Sequence, residues 1–390
     1  MKGTFLLIFI VTLLIYSGIN IYILIRGWQA LEAVGALRKI VISVAVLLPL
    51  LFISMFFVRR LFDNVLIDMC WAIGAGWVAA MLYFLMAVLA IDLLRLVLWA
   101  VGKSPAIHFG EHYQSIKFFL FLFVNIVVVV VLYIGRFNAT VPQVNSVDIT
   151  IEKEASGRES LSVVLLTDLH IGAINGHSAL QRWITAVNKL SPDIVLIAGD
   201  IVDDSPKSME RRELGKLLAQ INAPLGIYYA QGNHELYGDF PRTLRYLQSC
   251  GITALLDTTL LVDNSFYVVG RLDRSGGRGF VTNKKRKNLE ELLDGLDHSK
   301  PFILLDHQPY ELDKTVAVGV DVQLSGHTHG GQLWPFSLFV KRMYELAHGY
   351  MQKGSTHFYV SEGLGSWGPL IRIGTRSEIV QLNIRFLVKE

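Results

Sequence analysis

The chain is 390 residues long, 52% hydrophobic and 18% charged, with a formal net charge of +3. That is too apolar for an ordinary soluble protein, and two cysteines, Cys70 and Cys250, exclude a disulfide framework. Only 10 of the 36 Lys/Arg and 5 of the 33 Asp/Glu fall in the first 140 residues, which predicts a membrane part followed by a globular part. The globular part is close to neutral and long enough for one sizeable core, and it makes no case for nucleic acid as a partner.

The spans come first. Residues 4–25, 40–58, 69–91 and 118–134 are nearly free of charge, and a membrane helix needs roughly 20 such residues. The first run is longer than a signal-peptide core and no A-x-A-like site follows it, so it is read as a retained helix. Gly74 and Gly76 are expected to let helices pack closely. Asp92 and Arg95, three apart, are expected to pair near the interface. The domains are therefore a transmembrane region over 1–137, a polar extended linker over 138–160, and a catalytic or binding domain over 161–390. The expected location is the cell (inner) membrane. Basic residues divide between the two sets of loops without assigning a side.

The pattern then changes. Residues 162–166 read as a strand, 178–190 as a helix, 193–198 as a strand, 210–221 as a helix and 225–230 as a strand. Strand-like stretches follow at 259–270, 302–305, 320–324 and 358–360. Strands alternating with helices predict an α/β fold. Lys284-Lys285-Arg286-Lys287 is a basic cluster, read as a solvated face. His177, His298, His348 and His357 are read as surface or structural residues, and Glu235 as a helix-start acid.

Residues able to bind metal gather at the ends of the predicted strands, where ligand sites collect in open α/β sheets. They are Asp168 and His170, Asp200, Asn233 and His234, His307, and His327 with His329. This oxygen and nitrogen set, without thiolate, suits Mn, Fe, Zn or Mg. It is larger than one ion needs, and two metals sharing a carboxylate account for it economically.

The ordered motifs Asp168-Leu169-His170, Gly199-Asp200-Ile201-Val202-Asp203, Gly232-Asn233-His234-Glu235, His307 and Gly326-His327-Thr328-His329 resemble those of the calcineurin-like metallophosphoesterase superfamily. The continuation Gly330-Gly331-Gln332 is similar to its membrane-associated branch with the GHTHGGQ motif. The resemblance implies a two-sheet αββα sandwich after the four-helix transmembrane region. It implies two divalent metal ions, manganese among the candidates. Asp168, His170, Asp200 and His329 would hold the first ion, and Asp200, Asn233, His307 and His327 the second. The catalytic residues would be His234, touching the phosphate or the leaving group, and Asp203, orienting His234. Gly330, Gly331 and Gln332 are expected to form the floor beside the phosphate. Soluble protein phosphatases of the superfamily carry Arg where this chain has Asp204, which argues against protein-phosphatase activity.

The resulting expectation is a membrane-anchored metal-dependent phosphoric ester hydrolase. Its substrate would be a phosphoester, such as a lipid-linked phosphodiester or the pyrophosphate of a UDP-diacylated sugar. The competing expectation is a membrane sensor or transport module whose metal domain regulates without turnover.

Overall fold

The computed structural model describes residues 2–62, 64–203, 206–275 and 286–387. The chain divides into two compact units, Met1–Gly135 and Arg136–Glu390.

The first unit is built on long helices: α1 (Lys2–Ala30), α2 (Leu37–Leu61), α3 (Val65–Ala100), the short α4 (Pro105–Phe109), and α5 (Tyr113–Thr140), which runs on into the second unit. Among the described residues, four helical segments are long and apolar enough to cross a bilayer. Each runs past the predicted span, because moderately polar ends such as Arg26-Gly27-Trp28 continue the helix. Gly74 behaves as expected, since a Cβ there would stand 2.8 Å from the Phe52 Cα on α2. Gly76 does not: it has open space around it. Asp92 accepts from Arg95 at 3.1 Å and also from the Tyr22 hydroxyl at 2.6 Å, and it pairs with Arg26. The predicted i,i+3 pair is thus part of a larger cluster joining α1 to α3.

The second unit holds two six-stranded sheets. The strands are β1 (Gln143–Ile151), β2 (Ser160–Leu166), β3 (Ile194–Ala198), β4 (Ile227–Ala230), β5 (Ile252–Ala254), β6 (Thr258–Val262), β7 (Phe266–Gly270), β8 (Phe302–Leu305), β9 (Val322–Ser325), β10 (Gly349–Lys353), β11 (Thr356–Val360) and β12 (Glu378–Phe386). The first sheet runs β1-β12-β2-β3-β4-β5 and the second β10-β11-β9-β8-β7-β6. Strands β2 to β5 are parallel, as are β7, β8, β9 and β11.

The intervening helices are α6 (His177–Lys189), α7 (Lys207–Arg211), α8 (Gly215–Leu218), α9 (Phe240–Ser249), α10 (Leu289–Leu293), α11 (Leu312–Ala317) and α12 (Phe336–Met343). Val163 and Leu165 of β2 face the second sheet, packing with Leu196, Ile303 and Leu324. Val164 and Leu166 face the other way, onto Leu180, Trp183 and Val187 of α6. Both faces are covered, so β2 and β3 read as unbroken apolar runs instead of alternating ones. The fold is the expected two-sheet sandwich flanked by helices.

Three stretches differ from the sequence reading. Residues 138–160 are not a linker: α5 continues to Thr140, and β1 pairs in parallel with β12. Ile149 and Ile151 are buried there, and Asp148 and Thr150, alternating with them, lie on the outer face of an edge strand. Residues 210–221 form two short helices, α7 and α8, instead of one. Residues 259–270 fold as the β6–β7 hairpin, turning at Asp263-Asn264, where both residues have φ near +50°. Paired left-handed residues match the twist of the flanking strands, and Asp and Asn tolerate that backbone. Asp204, Lys284 and Lys285 lie outside the described residues.

Candidate metal centre

The parallel strands of the two sheets deliver the polar residues to one place. β2 opens into Asp168 and His170, β3 into Asp200, β4 into Asn233 and His234, β8 into His307, and β9 into His327 and His329. Among the described residues three groups result, two of them sharing His170. Single donor atoms of Asp168, His170 and His329 lie within 4.8 Å of one another, as do those of Asp200, His307 and His327, and those of His170, Asp203 and His234.

The first group is tight. His170 Nε2 and His329 Nε2 are 3.1 Å apart, and Asp168 Oδ1 is 3.3 Å from His329 Nε2. Asp168 is held by the His327 backbone N–H, which donates to both of its oxygens at 3.1 and 3.0 Å. In the second group, Asp200 Oδ2 and Asn233 Oδ1 each stand 3.2 Å from His307 Nε2. His307 Nδ1–H donates to the Ala198 carbonyl at 2.7 Å, so its Nε2 lone pair is the one that faces the carboxylate and the amide oxygen. Asn233 Nδ2 donates to the Tyr237 hydroxyl at 3.1 Å, which turns its oxygen inward.

His327 and His329 therefore fall in different groups. They do so on a turning chain, not an extended one: His327 has φ +71° and His329 φ +48°, with Thr328 between them at φ −75°. Asp168, His170 and Asp200 are also left-handed, at φ +51°, +43° and +53°. Such a backbone costs a non-glycine residue of order 1–3 kcal/mol, and it persists where the surroundings impose it, typically at functional sites. Two glycines make the approach possible. A Cβ on Gly232 would lie 2.1 Å from Asp200 Oδ1, and one on Gly326 would lie 2.2 Å from Asp168 Oδ2.

Asp168, Asp200, His170, His307 and His329 are all buried. Burial works against the charged form of Asp200, yet His307 and His234 outweigh it and hold its carboxyl well below the usual range. For His234, burial opposes protonation, but the charges of Asp200 and Asp203 lift its pKa to about 9. Buried carboxylates facing imidazole lone pairs want a positive charge among them. The donor set fits divalent cations, whose own charge would counter the rise at His234.

Asp203 Oδ1 stands 3.5 Å from the Nδ1 of both His170 and His234, and the Asp203 carbonyl oxygen accepts from His234 Nδ1 at 2.6 Å. It thus supports two histidines, where the sequence suggested one. Glu235 is more than a helix-start acid. It is buried, and its carboxylate accepts from the backbone N–H groups of Gly232 at 2.9 Å, Val202 at 3.0 Å and Asp200 at 3.3 Å. Burial and the neighbouring Asp200 charge raise its pKa.

Gln332, expected in the phosphate floor, also has a structural bond. Its Nε2 donates to the carbonyls of Trp367 and Pro369, tying the metal loop to the segment after β11. Gly331 is packed against Ser337, and Gly330 against Glu362 and Thr375. Arg372 was missed as a site residue. Fully buried, it places Nη2 3.1 Å from His329 Nδ1 and donates to the Glu362 and Gly363 carbonyls. Its charge, after burial, is what keeps His329 low. Of the remaining histidines, His177 and His298 are exposed, and His357 is buried, its Nδ1 bonded to the Tyr350 hydroxyl.

Comparison with known proteins agrees with this geometry. The calcineurin-like phosphoesterase family profile matches residues 161–331. An uncharacterized metallophosphoesterase of Campylobacter jejuni is 33% identical over 385 residues, covering 98% of this chain and 99% of its own length. A transmembrane protein with metallophosphoesterase domain from Danio rerio is 33% identical over 270 residues, 67% of this chain and 61% of that protein. A Helicobacter pylori metallophosphoesterase is 34% identical over 231 residues, 58% of this chain and 60% of its own. The four apolar helices found among the described residues make the chain a membrane protein with a bilayer as partner, and the family match implies a phosphoester substrate. The chain belongs to the calcineurin-like metallophosphoesterases and is a metal-dependent phosphoesterase carried on transmembrane helices.

Proposed function

We propose that the centre holds two divalent ions and hydrolyses a lipid-linked phosphodiester or pyrophosphate, of which a UDP-diacylated sugar is one example. Asp168, His170, Asp200 and His329 would hold one ion; Asp200, Asn233, His307 and His327 would hold the other. The observation that carries this is the position of Asp200 Oδ2, 3.2 Å from His307 Nε2 in one group and 3.9 Å from His170 Nε2 in the other.

The ions would supply Lewis-acid charge and lower the pKa of a water molecule toward neutrality. The chain's own residues do the rest. Asp203 holds His234 by accepting from Nδ1, which leaves Nε2 as the ring atom able to meet a phosphoryl oxygen or to give a proton to the leaving oxygen. Asn233 contributes a neutral oxygen, limiting the negative charge that a phosphate has to approach. The left-handed turns at Asp168, Asp200, His327 and His329 fix the ligands before any substrate arrives.

A lipid-linked substrate is supported by the chain's construction: only two residues separate the end of α5 at Thr140 from the start of β1 at Gln143, so the phosphoesterase unit follows directly from an apolar helix. The test is hydrolysis by the full chain in detergent or nanodiscs. A water-soluble aryl phosphodiester, a lipid phosphodiester and a lipid-linked pyrophosphate are compared with Mn²⁺, Mg²⁺ or Zn²⁺ present. Cleavage of a lipid-linked compound with higher kcat/KM than the aryl ester is the expected result. Cleavage of the aryl ester alone would refute the lipid-linked substrate.

A further inference from the structure

The loop that carries His327 and His329 leads into a helix with its apolar side outward. α12 is anchored from its inner face: Ser337 is buried, and so is Tyr344 just beyond the helix. The attachment is close to the metal centre. Thr328 Oγ1 donates to the Ala347 carbonyl at 2.6 Å, and the Tyr344 ring centre lies 6.4 Å from that of His327.

The outer face is not polar. Phe336, Leu338, Phe339 and Met343 on α12, with Trp334 before it and Trp367 on the adjoining loop, are each between 44% and 65% exposed. Phe336, Phe339 and Met343 recur at i, i+3 and i+7, which makes one stripe along the helix. Lys341 and Arg342 are exposed beside it. The Gln332 bond to the Trp367 carbonyl joins the two loops into one rim.

Exposed apolar side chains grouped in this way mark an interaction surface. The composition selects the partner. Tryptophan and phenylalanine beside Lys and Arg are the make-up of a helix lying in a membrane interface, where rings enter the acyl boundary and cations meet anionic headgroups. The two-residue connection from α5 to β1 puts a bilayer within reach of this unit.

We propose that α12, with Trp334 and Trp367, docks on the surface of an anionic bilayer and holds the rim of the metal centre in the headgroup layer. The consequence for catalysis rests on the lipid-linked reading above; the docking itself does not.

The test uses the full chain with Cys70→Ser and Cys250→Ser, in nanodiscs of phosphatidylcholine with or without phosphatidylglycerol. An environment-sensitive fluorophore is placed at Phe339→Cys or Met343→Cys, and for reference at Lys216→Cys on α8, which is highly exposed. The labels at 339 and 343 are expected to be quenched by nitroxide-bearing lipids and shielded from aqueous iodide. This should be stronger with phosphatidylglycerol present, at a depth of roughly 5–10 Å into the headgroup boundary. The label at 216 should behave oppositely. Iodide quenching at 339 and 343 equal to that at 216 overturns the proposal, as does shielding from both quenchers, which would mean a protein cover.

Trp334→Phe with Trp367→Phe in the otherwise natural chain gives a second measurement that needs no cysteine changes. Brominated lipids should quench less of its tryptophan fluorescence than of the wild type's, and an equal quenched fraction overturns the docking. Aryl phosphodiester hydrolysis at the wild-type rate certifies that each variant is folded. Lipid quenching without cleavage of any lipid phosphoester would leave the docking standing and remove only the substrate reading.

Discussion

The His234 backbone N–H donates to Asp200 Oδ1 at 2.9 Å, which leaves Asp200 Oδ2 as the oxygen facing both histidine groups. A carboxylate could in principle share its two oxygens between two ions. Here Oδ1 accepts from the loop that carries Asn233 and His234, so Oδ2 is the oxygen that would be shared if two ions were held. The same bond ties the β3 and β4 loops together, so the positions of Asp200 and His234 are set jointly.

Asp203 supports His170 and His234 at once, and Asp203→Asn weakens both contacts without removing a proposed metal ligand. We expect a loss of about 10–100-fold in metal affinity or turnover, the usual cost of losing a residue that orients a ligand. Metal titration followed by hydrolysis of an aryl phosphodiester checks this. Unchanged values on both would mean that the Asp203 carboxylate orients neither histidine.

Gly232→Ala and Gly326→Ala each drive a methyl group into a buried carboxylate, at 2.1 and 2.2 Å. The carboxylate has no room to retreat, because Asp200 and Asp168 are themselves held by backbone N–H groups. Both variants are expected to lose bound metal and activity together. Elemental analysis of purified protein measures the first, and retention of full metal content would contradict the packing described.

Glu235→Leu leaves the N–H groups of Gly232, Val202 and Asp200 buried without an acceptor. Each costs roughly 1–3 kcal/mol, so the variant should lose several kcal/mol of stability and a large part of its Tm. Glu235→Gln keeps an acceptor oxygen and should fall between. Thermal unfolding in detergent ranks the three proteins.

Much of this centre was legible before any coordinates. The ordered spacing of Asp168, His170, Asp200, Asn233, His307 and the His327–His329 pair requires strand ends converging on one spot, and β2, β3, β4, β8 and β9 provide them. The glycines before Asp200, Asn233 and His327 were visible in the motifs, but their purpose was not. It depends on what lies opposite each one: the His307 ring for Gly199, Asp200 after the neighbouring strand for Gly232, and Asp168 of the other sheet for Gly326. Arg372 and Glu235 were underread for the same reason, since a buried charge reveals its role only through its partners. β1 was taken for linker because an edge strand needs only one apolar face, and Asp148 and Thr150 between Val147, Ile149 and Ile151 read as polar chain. The motif places Gln332 beside the histidines, but its Nε2 bonds to Trp367 and Pro369 come from a segment distant in sequence.

Chelation gives a stability test. Asp168, Asp200 and Asp203 each lie in a separate group with two histidines, their donor atoms within 4.8 Å, and bound cations would offset the cost of burying these carboxylates. Removing the ions should lower the Tm, and a divalent ion at about 100 times its Kd should restore roughly 2.7 kcal/mol. A Tm that ignores both chelator and metal would show that these carboxylates are satisfied without cations.

The central claim is a pair of ions joined through Asp200. Electron paramagnetic resonance of the Mn²⁺-loaded full chain, with metal content measured on the same sample, tests it most directly. The account predicts two manganese ions per chain with an exchange-coupled spectrum, and loss of both coupling and aryl phosphodiester hydrolysis in Asp200→Asn. One magnetically isolated manganese per chain with full activity, or coupling that survives Asp200→Asn, would contradict it.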